Sequence, residues 1–479
     1  MPPPALTGGQ IRKLAKNAAA LAVGGIAAQA AFVLVEALVA RRLSQELYGV
    51  FSTVFVLTYL SIWVVDSGIG WKLVQDGSRR AAEIPRLLGT ALLLRTGIFL
   101  AFYPLAVGMV SLLGYDPRVL ILFGIFYGYV LIMVVQDSLV SVYAAQQRME
   151  VNALYQGLTP VVICLLAYFL VARDQSINTV AYAYLAGSGL VTAVWLGLTV
   201  RRVKPWVDFR GAPEILKGSY QYGLSGLLGY TFLRVDILLM SLLRDMAEVG
   251  IYAAAAKLLD LANKIPSLSA RVVAPMLFQK SHEDPAAYRK ICNAMLRVAT
   301  GVAMAIGLSF NLLAEPLITF VFGEKYANAA IILQILGAAF ALRFVSTALQ
   351  TVLSTSDLHA RRTKSIALAT AVNIGFNLIL IPLYGGIGAA ISVILGNLVL
   401  ISAFLFAARQ PVDVGAALRG ILIAAAWAGA AVIVARYVTP DPLLAWLLAI
   451  SLFAAALAAT GFINRKQVVR LVRGVMARQ

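Results

Sequence analysis

The chain reads as a succession of long apolar runs separated by short polar stretches. Runs of spanning length fall at about 17–40, 48–69, 88–113, 118–143, 153–172, 179–200, 219–243, 249–275, 293–314, 329–353, 366–383, 387–407, 420–438 and 442–462. A helical bilayer crossing takes roughly 20 apolar residues. Backbone amides in hydrocarbon must be paired within their own segment or in a closed barrel, and barrel strands alternate apolar with polar residues over much shorter stretches. The pattern therefore predicts an all-α polytopic membrane protein with about 14 transmembrane helices.

Composition agrees. Of 479 residues, 61% are hydrophobic and 13% charged, whereas a soluble domain carries roughly 25% charged residues. The net charge of +18 would suggest nucleic acid in a soluble protein. Here the basic residues cluster in alternate connections instead. Twenty-six lie on one side of the predicted membrane and seven on the other. By the positive-inside rule the chain is a multi-pass protein of the cytoplasmic (inner) cell membrane with both termini cytoplasmic, and nucleic acid is not expected as a partner. The start, Met1-Pro2-Pro3-Pro4, shows no cleavable signal pattern. A final basic cluster, Arg465, Lys466, Arg470, Arg473 and Arg478, reads either as a retention signal for topology or as a surface helix on anionic lipid.

The link at about 201–217 contains Pro205, Gly211 and Pro213 and splits the chain into halves. A shift of 201 residues superposes their beginnings without a gap: Lys16 falls on Lys217, Gly25 on Gly226, Leu38 on Leu239 and Gly49 on Gly250. Six spans separate the copies, so both point the same way, as in transporters whose two lobes are related by an axis along the membrane normal. The expected architecture is two pseudo-symmetric six-helix lobes around a central cavity. Residues 1–210 form the N-terminal lobe, 211–410 the C-terminal lobe, and 411–479 two extra spans with a basic tail.

Ionisable groups at bilayer depth cost at least about 2.5–3.5 kcal/mol each, so they require partners or a wet cavity. The eighth span carries Lys257, Asp260, Lys264 and Arg271, which at about 100° per residue fall within a sector of roughly 60°. The seventh span carries Arg234 and Asp236, which do not face one another at i,i+2. Arg343 adds a cation in the tenth span, and Asn373, Asn377, Gln334 and Gln350 are candidate lining amides. This pattern points to a hydrated, net cationic cavity for an anionic head group; the structural alternative is a set of ion pairs that fix helix packing. In the first half, Glu36, Arg95, Asp66 and Asp137 are embedded or nearly so. Asp66 and Asp137, like Asp260, are candidates for ion coupling. Arg95, Asp66 and Asp137 also lie close enough to the cytoplasmic ends for snorkelling.

Chemistry-bearing motifs are missing. The sequence has no phosphate-loop, G-x-S-x-G or H-E-x-x-H pattern, and Cys164, Cys292, His282 and His359 form no metal spacing. No catalytic residue, metal site or cofactor is assigned, and the expectation is that the chain is not an enzyme.

Several segments resemble the polysaccharide transporter family of the multidrug/oligosaccharidyl-lipid/polysaccharide exporter superfamily, the Wzx-type flippases. Ala40-Arg41-Arg42-Leu43 with Tyr48-Gly49-Val50-Phe51 resembles the first hairpin of that family, with Ser44 where a glycine is common. Arg234-Val235-Asp236, Val249-Gly250-Ile251-Tyr252 and Ala256-Lys257-Leu258, closed by Pro275, resemble the hairpin opening the second half. Phe322-Gly323-Glu324-Lys325-Tyr326 matches a loop before the tenth span, and Asn373, Asn377 and Ile381-Pro382-Leu383-Tyr384-Gly385-Gly386-Ile387-Gly388-Ala389-Ala390 match the hairpin of spans eleven and twelve. The resemblance implies export of a polyprenyl-diphosphate-linked oligosaccharide by alternating access, with a polysaccharide polymerase or other assembly protein as candidate partner beside membrane lipid. It implies Arg234, Lys257 and Lys264 as head-group contacts, joined by Arg271 and Arg343, with Asp236 and Asp260 orienting them. A peptidoglycan-precursor flippase and a cation-coupled multidrug exporter are alternatives within the superfamily, although exporters of cationic drugs suit a more acidic cavity. A membrane glycan polymerase or ligase is the alternative of another class, and the short outer loops argue against it. A non-transporting scaffold is a third.

Overall fold

The structure, a computed structural model, describes residues 28–173, 176–263, 284–356 and 358–462, with 265–266, 269–270, 273–274, 277–278 and 281; of residues 171–173 only the backbone is described. The described residues form helices and connecting turns, with no strand among them. In chain order the helices are α1 (28–42), α2 (Gln45–Asp66), α3 (Ile69–Arg79), α4 (Ile84–Leu112), α5 (Pro117–Ala145), α6 (Met149–Arg173), α7 (Ile177–Val203), α8 (Ala212–Leu243), α9 (Met246–Ala262), α10 (Pro285–Phe322), α11 (Ala329–Thr355), α12 (His359–Ala407), α13 (Val414–Val438) and α14 (Pro442–Ala459). Among the described residues, eleven helices are long and apolar enough to cross a membrane. One of them, α12, covers two predicted spans. The predicted spans 17–40 and 249–275 fall partly outside the described residues.

Local sequence sets the helix starts. Asp116-Pro117, Asp284-Pro285 and Asp441-Pro442 each place a capping carboxylate before a proline that needs no intrahelical donor. Asp284 accepts from Ala287 N at 2.9 Å, and Asp441 from Leu443 N and Leu444 N, both at 2.9 Å. Large apolar side chains stand outward along the helices, such as Leu105 (67% exposed) on α4 and Ile433 (70%) on α13. Such a surface needs lipid as its solvent.

The helices pack into two compact units that part between Ala253 and Ala254, inside α9. In the first unit α2 packs on α5, α5 on α7, and α8 on α2, α3 and α4. The α2–α3 junction is an elbow: Ser67 (φ 47°) and Gly68 (φ 77°) are both left-handed. At Gly68 a side chain would meet the backbone of α8 at Ser219 and Gly223.

The internal repeat becomes a physical contact in this unit. A Cβ on Gly49 would lie 2.8 Å from the Met246 carbonyl carbon and 3.0 Å from Gly250 N. A Cβ on Gly250 would lie 3.1 Å from the Gln45 carbonyl carbon and 3.1 Å from Gly49 N. Gln45 and Met246 are themselves 201 residues apart, like the two glycines. The contact is thus its own mirror in the repeat, and a local pseudo-twofold axis passes between Gly49 and Gly250.

In the second unit α10 and α11 form a hairpin on which α12, α13 and α14 pack. Helix α12 is itself folded back. Asn373 Nδ2 donates to the Ser392 carbonyl at 2.9 Å across 19 residues, which a straight helix would separate by about 28 Å. The reversal turns on Gly385 (φ 54°, ψ −132°), a conformation available to glycine. Asn377 Nδ2 donates to the Asn373 carbonyl at 2.9 Å and to its Oδ1 at 3.0 Å. Asn373 and Asn377 are both buried: Asn373 ties the two arms of the hairpin together and Asn377 braces Asn373 from the same arm, which is a packing role.

Candidate functional site

Each repeat opens with a hairpin in which a buried carboxylate on the first helix meets a tyrosine on the second. In the first, Tyr48 Oη on α2 donates to Glu36 Oε2 on α1 at 3.0 Å. In the second, Tyr252 Oη on α9 donates to Asp236 Oδ2 on α8. Asp236 Oδ1 also accepts from Ile237 N at 2.9 Å. Burying an ionisable group without partners would be costly, and both carboxylates are supplied with donors. Around the first hairpin the rings of Phe51, Phe55, Phe126, Tyr129 and Tyr184 pack edge-on and tilted, from Phe51–Phe55 at 5.6 Å between centroids to Phe55–Phe126 at 6.4 Å. Tyr59 stacks on Tyr230 at 5.8 Å, joining α2 to α8.

The strongest charge cluster lies where α2, α4 and α5 meet. Arg95 is 1% exposed. Its Nη2 donates to Asp66 Oδ1 and, at 2.7 Å, to Asp137 Oδ2. Its Nη1 donates to the Val134 carbonyl at 2.8 Å and to Ser138 Oγ. Asp66 accepts in addition from Gly68 N at 3.1 Å and Gly70 N at 3.3 Å, so one carboxylate holds both the arginine and the α2–α3 elbow. Any side chain on Gly70 would collide with the Asp137 carboxylate and approach Arg95 Nη2 to 2.8 Å. The snorkelling expected for these groups is overturned for Arg95 and Asp66, which are buried. Partners on neighbouring helices satisfy the charge where it stands. Asp137 differs, with half of its side chain (51%) exposed.

The predicted head-group residues divide between the two units. Arg234 and Asp236 lie on α8 in the first unit; Arg234 is half-buried and Asp236 buried. Lys257 and Asp260 on α9 and Arg343 on α11 belong to the second unit, all three half-buried. Lys264 and Arg271 lie outside the described residues. Among the described residues no group of His, Cys, Asp and Glu side chains could hold a metal ion. Sequence reading passed over Tyr48 and Tyr252 as partners for the acids. The signal was present: each tyrosine follows an embedded acid by one hairpin.

The profile of the family described as polysaccharide biosynthesis protein matches residues 38–331. The probable flippase AglR of Haloferax volcanii is 24% identical over 380 residues, covering 74% of this chain and 78% of AglR. Among solved structures, the lipid II flippase MurJ in an inward closed conformation is similar with TM-score 0.77 at 15% identity, covering 92% of this chain and 98% of that one. An inward-facing multidrug resistance transporter of the MATE family, in the MOP superfamily, is similar with TM-score 0.66 at 15% identity, over 82% and 96% of the two chains. These likenesses at low identity speak to the fold, while the profile covers more than half of the sequence. The chain belongs to the polysaccharide biosynthesis protein family, the Wzx-type flippases its hairpins resemble, and is a multi-pass membrane protein with the MOP transporter fold.

Proposed function

We propose that the protein moves a polyprenyl-diphosphate-linked oligosaccharide from the cytoplasmic to the outer leaflet of the cell membrane by alternating access, with both termini cytoplasmic and without catalysing a covalent step. The observation that carries the reading is the set of half-buried cations Arg234 and Arg343, each on a helix long and apolar enough to cross a membrane, with Lys257 half-buried on α9. Cations at that depth suit an anionic head group, and the family and the flippase relative supply the class of cargo. Arg234, Lys257 and Lys264 contact the diphosphate, Arg271 and Arg343 extend the cationic path, and Asp236 and Asp260 orient it. The head group carries about two negative charges, and an inside-negative potential contributes about 2.3 kcal/mol per charge per 100 mV toward outward movement. Of the first-half carboxylates considered for ion coupling, Asp137 suits the role better than Asp66, because half of its side chain is exposed while Asp66 is enclosed by Arg95 and the elbow amides. A polysaccharide polymerase that uses the exported unit is the fitting partner.

The test is surface-polysaccharide export in a strain whose copy carries Arg234→Ala or Lys264→Ala at normal membrane levels. The expected result is loss of glycan outside and accumulation of its lipid-linked precursor inside. Normal export by both variants would remove the head-group assignment. A peptidoglycan-precursor flippase is the second reading, favoured by the fold-level likeness to MurJ. It predicts lysis and accumulated peptidoglycan precursor in place of a surface-glycan defect.

A further inference from the structure

A cavity of about 340 Å³ opens at the end of the first unit where α4 begins and where α5 and α7 end. That size falls within the range of small-molecule pockets. Its lining combines the apolar Ile84, Pro85 and Val203 with two cations, Arg148 and Arg202, and the Gln146 amide. Arg148 lies in the α5–α6 turn with its guanidinium 5.8 Å from the Tyr143 ring centroid. Its carboxylate neighbour, Glu150, is 3.7 Å away, too long for a hydrogen bond. Arg202 is exposed and makes no ion pair or hydrogen bond among the described residues. The other nearby acids are already engaged. Glu83 pairs with Arg80 at 3.0 Å and with Arg86 at 2.6 Å, and Asp208 pairs with Arg86 at 2.8 Å.

The surroundings set the depth of the cavity. The link after α7 is fastened beside it: Trp206 N donates to the Pro85 carbonyl at 3.3 Å and Asp208 N to Thr90 Oγ1 at 3.0 Å. The Arg86 hydrogen bond holds the Asp208 carboxyl below the ordinary carboxylate range, so the Arg86–Asp208 pair that braces this link is intact at neutral pH and is lost only as pH falls through that lowered value. The fastened link presents Trp206 and Phe209 outward, 54% and 73% exposed. Exposed aromatic side chains just beyond the end of a span are anchors for the membrane–water boundary. The cavity thus joins a cationic rim, in which Arg202 has no ion pair among the described residues and Arg148 has only its long contact to Glu150, to apolar lining beside the aromatic anchors.

We propose that this cavity binds the phosphate of an anionic membrane phospholipid between Arg148 and Arg202, with the glycerol and first methylenes along Ile84, Pro85 and Val203. Basic pockets between spans hold anionic head groups in this way. The site shares no residue with the head-group set proposed above, and it stands whether or not the cargo is a lipid-linked oligosaccharide.

The test uses the purified full-length protein, delipidated in detergent and titrated with phosphatidylglycerol or phosphatidylcholine, with bound lipid counted by native mass spectrometry. Arg148→Gln/Arg202→Gln is compared with the charge-matched Arg409→Gln/Arg419→Gln. The expected result is one tight phosphatidylglycerol on the wild type, weakened at least tenfold by the first pair and unchanged by the second. Equal loss in both pairs, or none in the first, overturns the proposal. Displacement of the lipid by inorganic phosphate at matched concentration would make the site one for a free anion and overturn it as well. Should the double variant fold poorly, Arg202→Gln alone serves, since that side chain holds nothing in place; it is expected to weaken phosphatidylglycerol and leave thermal stability unchanged.

Discussion

A methyl group added at Gly49 has nowhere to go. It would sit 2.8 Å from the Met246 carbonyl carbon and 3.0 Å from Gly250 N, both backbone atoms of another helix. The Met246 carbonyl oxygen lies nearer still, and non-bonded atoms are comfortable only at about 3.5–4.0 Å, so α2 and α9 must part by more than about 1 Å at this crossing. Overpacking of this kind costs about 1–3 kcal/mol. Gly250→Ala presses on the same crossing from the other side, against Gln45. Because one separation makes room for both methyl groups, the double variant is expected to cost clearly less than the sum of the singles. This coupling is of the kind double-mutant cycles resolve. The assay is thermal unfolding of the purified protein in detergent for the wild type, both singles and the double. Singles as stable as the wild type, or a double whose loss equals the sum, would refute a shared backbone contact.

Two further sites probe the buried charge and the tight turn. Arg95→Ala strands Asp66 among apolar helices and is expected to lose about 3–5 kcal/mol, as when one partner of a buried pair is removed. Arg95→Met with Asp66→Asn should recover part of that loss, and an Arg95→Ala protein that melts like the wild type would show the cluster to be dispensable. Gly385→Ala forces a side chain into φ 54°, ψ −132° and is expected to cost about 1–3 kcal/mol. Gly375→Ala, where a Cβ meets nothing within 4 Å, is expected to be neutral or slightly stabilising in the same melt.

The long apolar runs made the spanning helices legible because hydrocarbon permits little else, and the Asp-Pro starts marked several of their ends. The elbow at Ser67 and Gly68, and the short helix α3 after it, were not legible. Residues 72–86 are polar enough to pass for a loop, although Ile69, Leu73 and Gly77 recur at i, i+4 and i+8 on the face that the helix Ile69–Arg79 buries, with α5 and α8 packed on it. Arg95 shows a second limit of the same kind. Sequence gives the depth of a charge along its own helix, but Asp66 and Asp137 reach it from two others, and depth alone left snorkelling open. Asn373 and Asn377 are candidates for cavity lining by sequence; the hydrogen bond of Asn373 to Ser392, across a turn that sequence alone cannot draw, gives Asn373 a packing role, and Asn377 bonds back to it. The repeat was visible as an alignment of Gly49 with Gly250, whereas their mutual contact is a fact of tertiary structure.

The near-absence of a loop within α12 bears on how the chain enters its membrane. The two arms, on either side of Gly385, leave no polar stretch long enough to be drawn across the bilayer by itself, and the side-chain amides of one arm find their acceptors on the other or in their own arm. The first arm, held alone in lipid, would present Asn373 to hydrocarbon with that bond unmade. The two arms are therefore expected to leave the insertion machinery together, as a preformed pair, and a stop to synthesis between them should strand an arm that cannot stay in the bilayer unaided.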